Sequence, residues 1–250
     1  MIDILISGIC GHMGRNVLEL VLADEETACV GGVDLRKGEL QGVPVFDSFA
    51  DAPAADAVID FSSADNLDNV LGYAARTGAA VILAATGYTP AQLAQIEAAA
   101  KELPVFKTAN LSVGINLLQK LVKEAAAFLG ENFDIEIVER HHNLKKDAPS
   151  GTAYMLAESA NEAFEGGKEY VYGRHGMVGA RKKAEIGIHA VRGGTIVGEH
   201  EVMFAGDDEI ITLAHSARSK RVFAAGAVKA AKFMCGKPAG HYDMQDVLKG

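Results

Sequence analysis

Between Arg140 and Thr152 the sequence gathers side chains able to do chemistry. Arg140, His141, His142, Lys145 and Lys146 place five basic groups within seven residues, and Asp147-Ala148-Pro149-Ser150-Gly151-Thr152-Ala153 follows at once. Imidazole and ammonium groups donate protons near neutral pH. Ser150 reads as a helix N-cap, and the first N–H groups of a helix, with its positive dipole end, favour an anion. Cations beside such a terminus form a trap for a carboxylate or a phosphate. Proton donors inside the trap suit reduction of a C=N or conjugated C=C bond, where charge builds one atom beyond the bond reduced and a proton must arrive. Without a partner for that chemistry the same run reads as a solvated loop.

A second constellation is Gly8-Ile9-Cys10-Gly11-His12-Met13-Gly14. It follows a strand-like run and precedes a helical one, the context in which a pyrophosphate approaches backbone N–H groups that side chains would screen. The spacing is GxxGxxG, with Cys10 at the usual middle position of GxGxxG. Asp34 closes the next predicted strand and is expected to accept hydrogen bonds from the adenosine ribose. Arg36 and Lys37 just beyond could neutralise a 2′-phosphate or simply form a solvated turn, so NAD and NADP both stay open. His189, His200 and His215 fall on three predicted strands, but no HExxH or CxxC accompanies them. They are expected to be strand-surface or interface histidines, with no metal site.

The elements that must position these residues change character along the chain. Ile2–Ser7, Ala28–Asp34, Asp56–Phe61, Ala79–Ala84 and Pro104–Lys107 read as strands. They alternate with helical runs at Met13–Ala23, Asp65–Arg76 and Pro90–Glu102. That rhythm predicts βαβ units and a doubly wound parallel sheet. After about Leu111 come a long helix near Gly114–Leu129, a strand near Phe133–Arg140 and a helix opening at Ser150. Strands follow at Glu185–Arg192, Thr195–Phe204 and Glu209–His215, then a helix over Val222–Met234. Turns at Gly193-Gly194 and Gly206-Asp207-Asp208 suggest hairpins, hence an α+β unit with a mostly antiparallel or mixed open sheet. The expected fold is therefore α/β, with a Rossmann-type unit over 1–111 and 221–250 and a second unit over 112–220.

Composition narrows the function classes. With 250 residues, 49% hydrophobic and 23% charged, the chain is an ordinary globular protein large enough for two cores. A net charge of −9 argues against a nucleic-acid partner, whose phosphates demand a basic surface. Three scattered cysteines, Cys10, Cys29 and Cys235, fit reduced thiols. No secretory signal pattern opens the sequence, and no apolar run approaches the ~20 residues that span a bilayer. A cytoplasmic protein without membrane contact is expected.

The segment Glu139-Arg140-His141-His142-Asn143-Leu144-Lys145-Lys146-Asp147-Ala148-Pro149-Ser150-Gly151-Thr152-Ala153 closely resembles the hallmark motif of the dihydrodipicolinate reductase family, the 4-hydroxy-tetrahydrodipicolinate reductases of lysine and diaminopimelate biosynthesis. The likeness extends to His12-Met13-Gly14, Asp60-Phe61-Ser62, Ala84-Ala85-Thr86-Gly87, Ala109 to Asn116 and Gly198-Glu199-His200. It implies a homotetramer whose first domain binds NAD(P)H, whose second holds a small dicarboxylate substrate and the tetramer contacts, and whose final helix returns to the first domain. It implies catalytic proton-handling roles for His141 and Lys145, and substrate contacts from His142, Ser150, Gly151 and Thr152. It implies cofactor contacts from Gly8 to Met13, from Ala84, Ala85 and Thr86, and from Thr108, Ala109, Asn110 and Leu111. Cys10, His12, Ala84-Ala85 and Leu111 depart from the family's usual residues, all on the cofactor side. Two rival readings are another two-domain Rossmann oxidoreductase, such as an amino-acid dehydrogenase, and a nucleotide-sensing protein that does no chemistry.

Overall fold

A computed structural model of the chain describes residues 1–249, and these fall into two compact units, one holding Met1–Ser112 with the chain from Lys220 onward, the other Val113–Ser219. The first begins with β1 (Ile2–Ser7), α1 (His12–Ala23), β2 (Thr27–Val33), β3 (Gly38–Leu40) and β4 (Val43–Phe46). It continues through β5 (Ala57–Asp60), α2 (Leu67–Thr77), β6 (Ala80–Leu83), α3 (Pro90–Ala99) and β7 (Pro104–Lys107). The second unit holds α4 (Val113–Leu129), β8 (Asp134–His141), α5 (Gly151–Asn161), β9 (Glu169–Tyr172), β10 (Glu185–Arg192), β11 (Gly198–Ala205) and β12 (Ile210–Ala217). The chain then returns through α6 (Arg221–Met234), β13 (Gly240–Tyr242) and α7 (Met244–Lys249).

In the first unit the sheet order is β13-β7-β6-β5-β1-β2-β4-β3, parallel except at the β3–β4 pair. Central strands such as Ala57–Asp60 and Ala80–Leu83 are buried on both faces, as a doubly covered parallel sheet requires. The chain leaves β1 toward β2 on one side and enters β5 on the other, so the loops after β1 and β5 diverge and open a crevice at their carboxyl ends. The short strands β3, β4 and β13 add edges that periodicity missed. Each has three or four residues, and Pro44 sits inside β4. Helix α6 packs against α1, β5 and β6; a Cβ at Gly226 would overlap the carbonyl of Leu111, so glycine there lets helix and chain meet.

The second sheet runs β12-β11-β8-β10-β9 and is mixed. Here the expected hairpin at Gly193-Gly194 is absent: β10 pairs parallel with β8 and β9, while β11 pairs antiparallel with β8 and β12. Strand β8 therefore lies between β10 and β11, and the Gly193-Gly194 turn carries the chain past its end. The turn before β12 does close a hairpin, with Ala205 opposite Ile210. One face of β8 reads Ile135, Ile137, Glu139, His141, all buried, and α4 and α5 supply the core beneath its apolar half. Along one strand the inner face thus passes from apolar to polar within four positions.

Candidate active site

The polar end of that inner face is built by register. Arg192, the last residue of β10, stands opposite His141, and His200 of β11 stands opposite Glu139. Glu139 is fully buried, and its Oε2 lies 2.6 Å from His141 Nδ1 while its Oε1 accepts the Ser150 N–H at 3.0 Å. Arg192 donates to both oxygens, at 2.8 and 2.7 Å, and also to the carbonyl of Asp147 at 2.7 Å. Burial pushes the Glu139 carboxyl up, but the Arg192 guanidinium and His141 outweigh that and hold it below its usual range. A desolvated carboxylate would otherwise cost several kcal/mol, so this many donors on one group is what its ionisation requires.

Ser150 caps α5 by accepting the Ala153 N–H at 3.2 Å. Its hydroxyl also meets His200 Nε2 at 3.0 Å, and the His200 ring stands edge-on to His141 with centroids 5.2 Å apart. Burial, with His141 second, pushes His200 down to about 4, so it is neutral at pH 7. At Gly151 a Cβ would meet nothing within 4 Å, so packing does not demand glycine there; its absence of a side chain leaves the helix start open to a ligand. A Cβ at Gly198 would lie 3.0 Å from His141 Nε2, so glycine there keeps that nitrogen clear. Lys145 pairs with Asp147 at 2.9 Å, and its side chain is one-fifth exposed.

In the first unit the loop from Gly8 to Gly11 joins β1 to α1, and Gly14 lies in the first turn of the helix. Gly8 has φ +76°, and a Cβ there would press on the carbonyl of Phe61 at 2.9 Å; one at Gly14 would overlap the carbonyl of Gly8. Gly11 is less constrained, and no side chain caps α1. An uncapped helix start reached over glycine backbone fits a dinucleotide pyrophosphate. Asp34 ties this loop to the end of β2: its Oδ2 accepts the Cys10 N–H and its Oδ1 the Leu35 N–H, both at 2.8 Å. About two of its roughly four acceptor positions remain for ribose hydroxyls. Beside the loop opens a cleft of about 750 Å³, lined by Gly8, Asp34, Leu35, Ser62, Ser63 and Asn66 among others.

Known proteins match this chain in two segments that meet near the start of α4, the second running on through α6, β13 and α7 of the first unit. The family model for the N-terminus of dihydrodipicolinate reductase matches residues 2–111, and that for its C-terminus matches residues 114–248. The chain belongs to the dihydrodipicolinate reductase family. It is 50% identical to the 4-hydroxy-tetrahydrodipicolinate reductase of Caldanaerobacter subterraneus subsp. tengcongensis, covering 100% of this chain and 99% of the relative. The corresponding figure for Clostridium novyi is 46%, with the same coverage. Among solved structures, the dipicolinate-bound dihydrodipicolinate reductase from Paenisporosarcina sp. TG-14 superposes with a TM-score of 0.80 at 25% identity, over 97% of each chain.

Within this dihydrodipicolinate reductase fold the residues singled out from sequence separate into distinct surroundings. His141, Ser150, Gly151 and Thr152 gather at the end of β8 and the start of α5, with Lys145 on the loop between. Arg140 leaves the cluster, because strand alternation turns it to the opposite face beside Glu199 and Glu201, at 3.9 and 3.6 Å. His142 is half-buried and Lys146 exposed. His200 is not the strand-surface histidine expected, since register places it 5% exposed against Ser150; His189 does lie on the other face, bonded to Glu136 at 2.7 Å. On the cofactor side Ile9 is core, Cys10 and His12 are exposed, and Met13 is half-buried. Lys37 is engaged by Asp47 and Asp51, at 3.4 and 3.3 Å, while Arg36 is exposed. Ala84 and Ala85 follow the end of β6 with Thr86 exposed beyond them, Thr108 donates to the Asn110 carbonyl at 3.2 Å, Ala109 is exposed and Leu111 is buried. Sequence reasoning missed Glu139 and Arg192, and it gave no role to Ser62 or Ser63, which line the cleft.

Proposed function

We propose that this protein catalyses the NAD(P)H-dependent reduction of 4-hydroxy-tetrahydrodipicolinate (dihydrodipicolinate) to tetrahydrodipicolinate, in lysine and diaminopimelate biosynthesis. The observation that carries the reading is the polar end of β8, where a buried histidine held by a carboxylate adjoins an open, Ser-capped helix start flanked by Lys145. When bound at the glycine loop, the reduced nicotinamide supplies the hydride. Gly151, Thr152 and His142 receive the substrate carboxylates, the helix dipole and Lys145 balancing their charge. His141 presents Nε2 toward the substrate and, with Lys145, handles the proton that completes the reduction. Gly8 to Met13, Asp34, the Ala84–Thr86 turn and Thr108 to Leu111 hold the cofactor, with Arg36 and Lys37 at its ribose end.

The second unit carries substrate binding and assembly into a homotetramer. Its outer sheet face supports this, with Ile210 and Val191 63% and 45% exposed in the single chain. No helix among the described residues is long and apolar enough to cross a membrane, in keeping with a cytoplasmic enzyme. The test is turnover: with substrate generated enzymatically from pyruvate and aspartate semialdehyde, the protein oxidises NADH or NADPH, and pyridine-2,6-dicarboxylate, a planar analogue, inhibits competitively. Consumption of neither cofactor would remove the reductase reading. Tight NADH binding without any turnover would instead favour the sensor.

A further inference from the structure

We infer that Glu139 is the positioning residue of the site, setting which nitrogen of His141 works and tying that ring to the start of α5. The inference rests on the reading of His141 given above. An ionised carboxylate only accepts hydrogen bonds. With Glu139 Oε2 2.6 Å from Nδ1, the His141 proton belongs on Nδ1, and Nε2 is left to take up or release a proton. Gly198 keeps the space around Nε2 clear. The other oxygen of the same carboxylate holds the Ser150 N–H at 3.0 Å, so the proton-handling ring and the anion-binding helix start are fixed to one group.

Arg192 completes the device from β10. Its fork engages both oxygens of Glu139, and one of its nitrogens also holds the Asp147 carbonyl, just before the helix. It thereby orients the carboxylate and anchors the loop that carries Lys145. The chain of contacts Arg192, Glu139, His141 has the logic of the orienting acid in a serine-protease triad, in which a buried carboxylate fixes the tautomer of a working histidine. Neither Glu139, at 0% exposure, nor the forked side of Arg192 needs to touch substrate for this role.

The experiment reads the tautomer directly, by two-dimensional 15N–1H correlation of the His141 ring, alongside steady-state kinetics of wild type, Glu139→Gln and Arg192→Gln. In wild type at a pH where the ring is neutral, Nδ1 carries the proton; an Nε2-protonated ring would overturn the inference without any variant. Glu139→Gln is expected to shift the ring toward the Nε2–H form and to lower kcat by roughly 10²-fold or more, by the effect of a mis-set tautomer in comparable dyads, with NADH affinity unchanged. Arg192→Gln is expected to lower kcat in the same direction by a smaller factor. A Glu139→Gln enzyme within twofold of wild type, or one that loses activity with the ring pattern unchanged, would contradict the role. If wild type itself turned over no substrate, the functional reading would fail while the tautomer measurement still decided this one.

Discussion

Burial, with His141 second, sets the state of His200, and this has a measurable cost in acid. In the unfolded chain the imidazole takes up a proton near its ordinary 6.5; folded, it does so only near 4. Between those values the unfolded state binds more protons, so the fold loses stability as pH falls from about 6.5 to 4, on the order of 3 kcal/mol in all, and keeps the full contribution above that window. Thermal unfolding across this range should show a Tm that falls in wild type and falls less in His200→Gln. Parallel curves would mean that His200 is not buried as a neutral ring. The residue scale also marks the limit of the sequence reading. His141 and Ser150 are nine positions apart and a strand-to-helix loop joins them, so their place in one site is legible in the segment itself. Arg192 and His200 lie more than forty residues beyond Ser150, and only the placement of β8 between β10 and β11 delivers them to Glu139 and Ser150.

Among the elements, the junctions of β1 with α1 and β2 with β3 predict a cofactor preference. Asp34 is fixed at the end of β2 by two backbone N–H groups, and Lys37 is drawn toward Asp47 and Asp51 on the segment after β4. A 2′-phosphate would meet the Asp34 carboxylate, with the exposed Arg36 two residues on as a cation to offset it. NADH should therefore be used with a kcat/KM about tenfold or more above NADPH, a difference of ~1.4 kcal/mol. The double variant Asp47→Asn/Asp51→Asn should narrow the gap by releasing Lys37. Equal use of both cofactors by wild type would contradict the argument. Long elements with clear periods, such as α1 and α4, were legible from pattern. The short strands β3, β4, β9 and β13 were not: they begin or end on Gly, Glu or Tyr or, in β4, carry a proline, whereas the equally short β5 and β6 are near-continuous apolar runs. The Gly193-Gly194 turn was misread for a different reason: a glycine pair shows that the chain turns, not which strand it turns toward.

The whole molecule holds two sheets of different kinds, a parallel one whose diverging loops open a crevice and a mixed one whose central strand, under the proposed function, carries the proton chemistry. The alternation of strand and helix up to residue 111 predicted the first, and the return of α6 to that unit came from family resemblance rather than from any pattern in the helix itself. Under the proposed function His141, at the end of β8, has one role, proton transfer in a nicotinamide-dependent reduction. It is tested most directly by steady-state oxidation of NADH at saturating substrate, comparing wild type with His141→Ala alongside a measured Kd for NADH. Loss of a positioned proton donor predicts a fall in kcat of roughly 10²- to 10⁴-fold with NADH affinity unchanged; a His141→Ala enzyme as fast as wild type would contradict it.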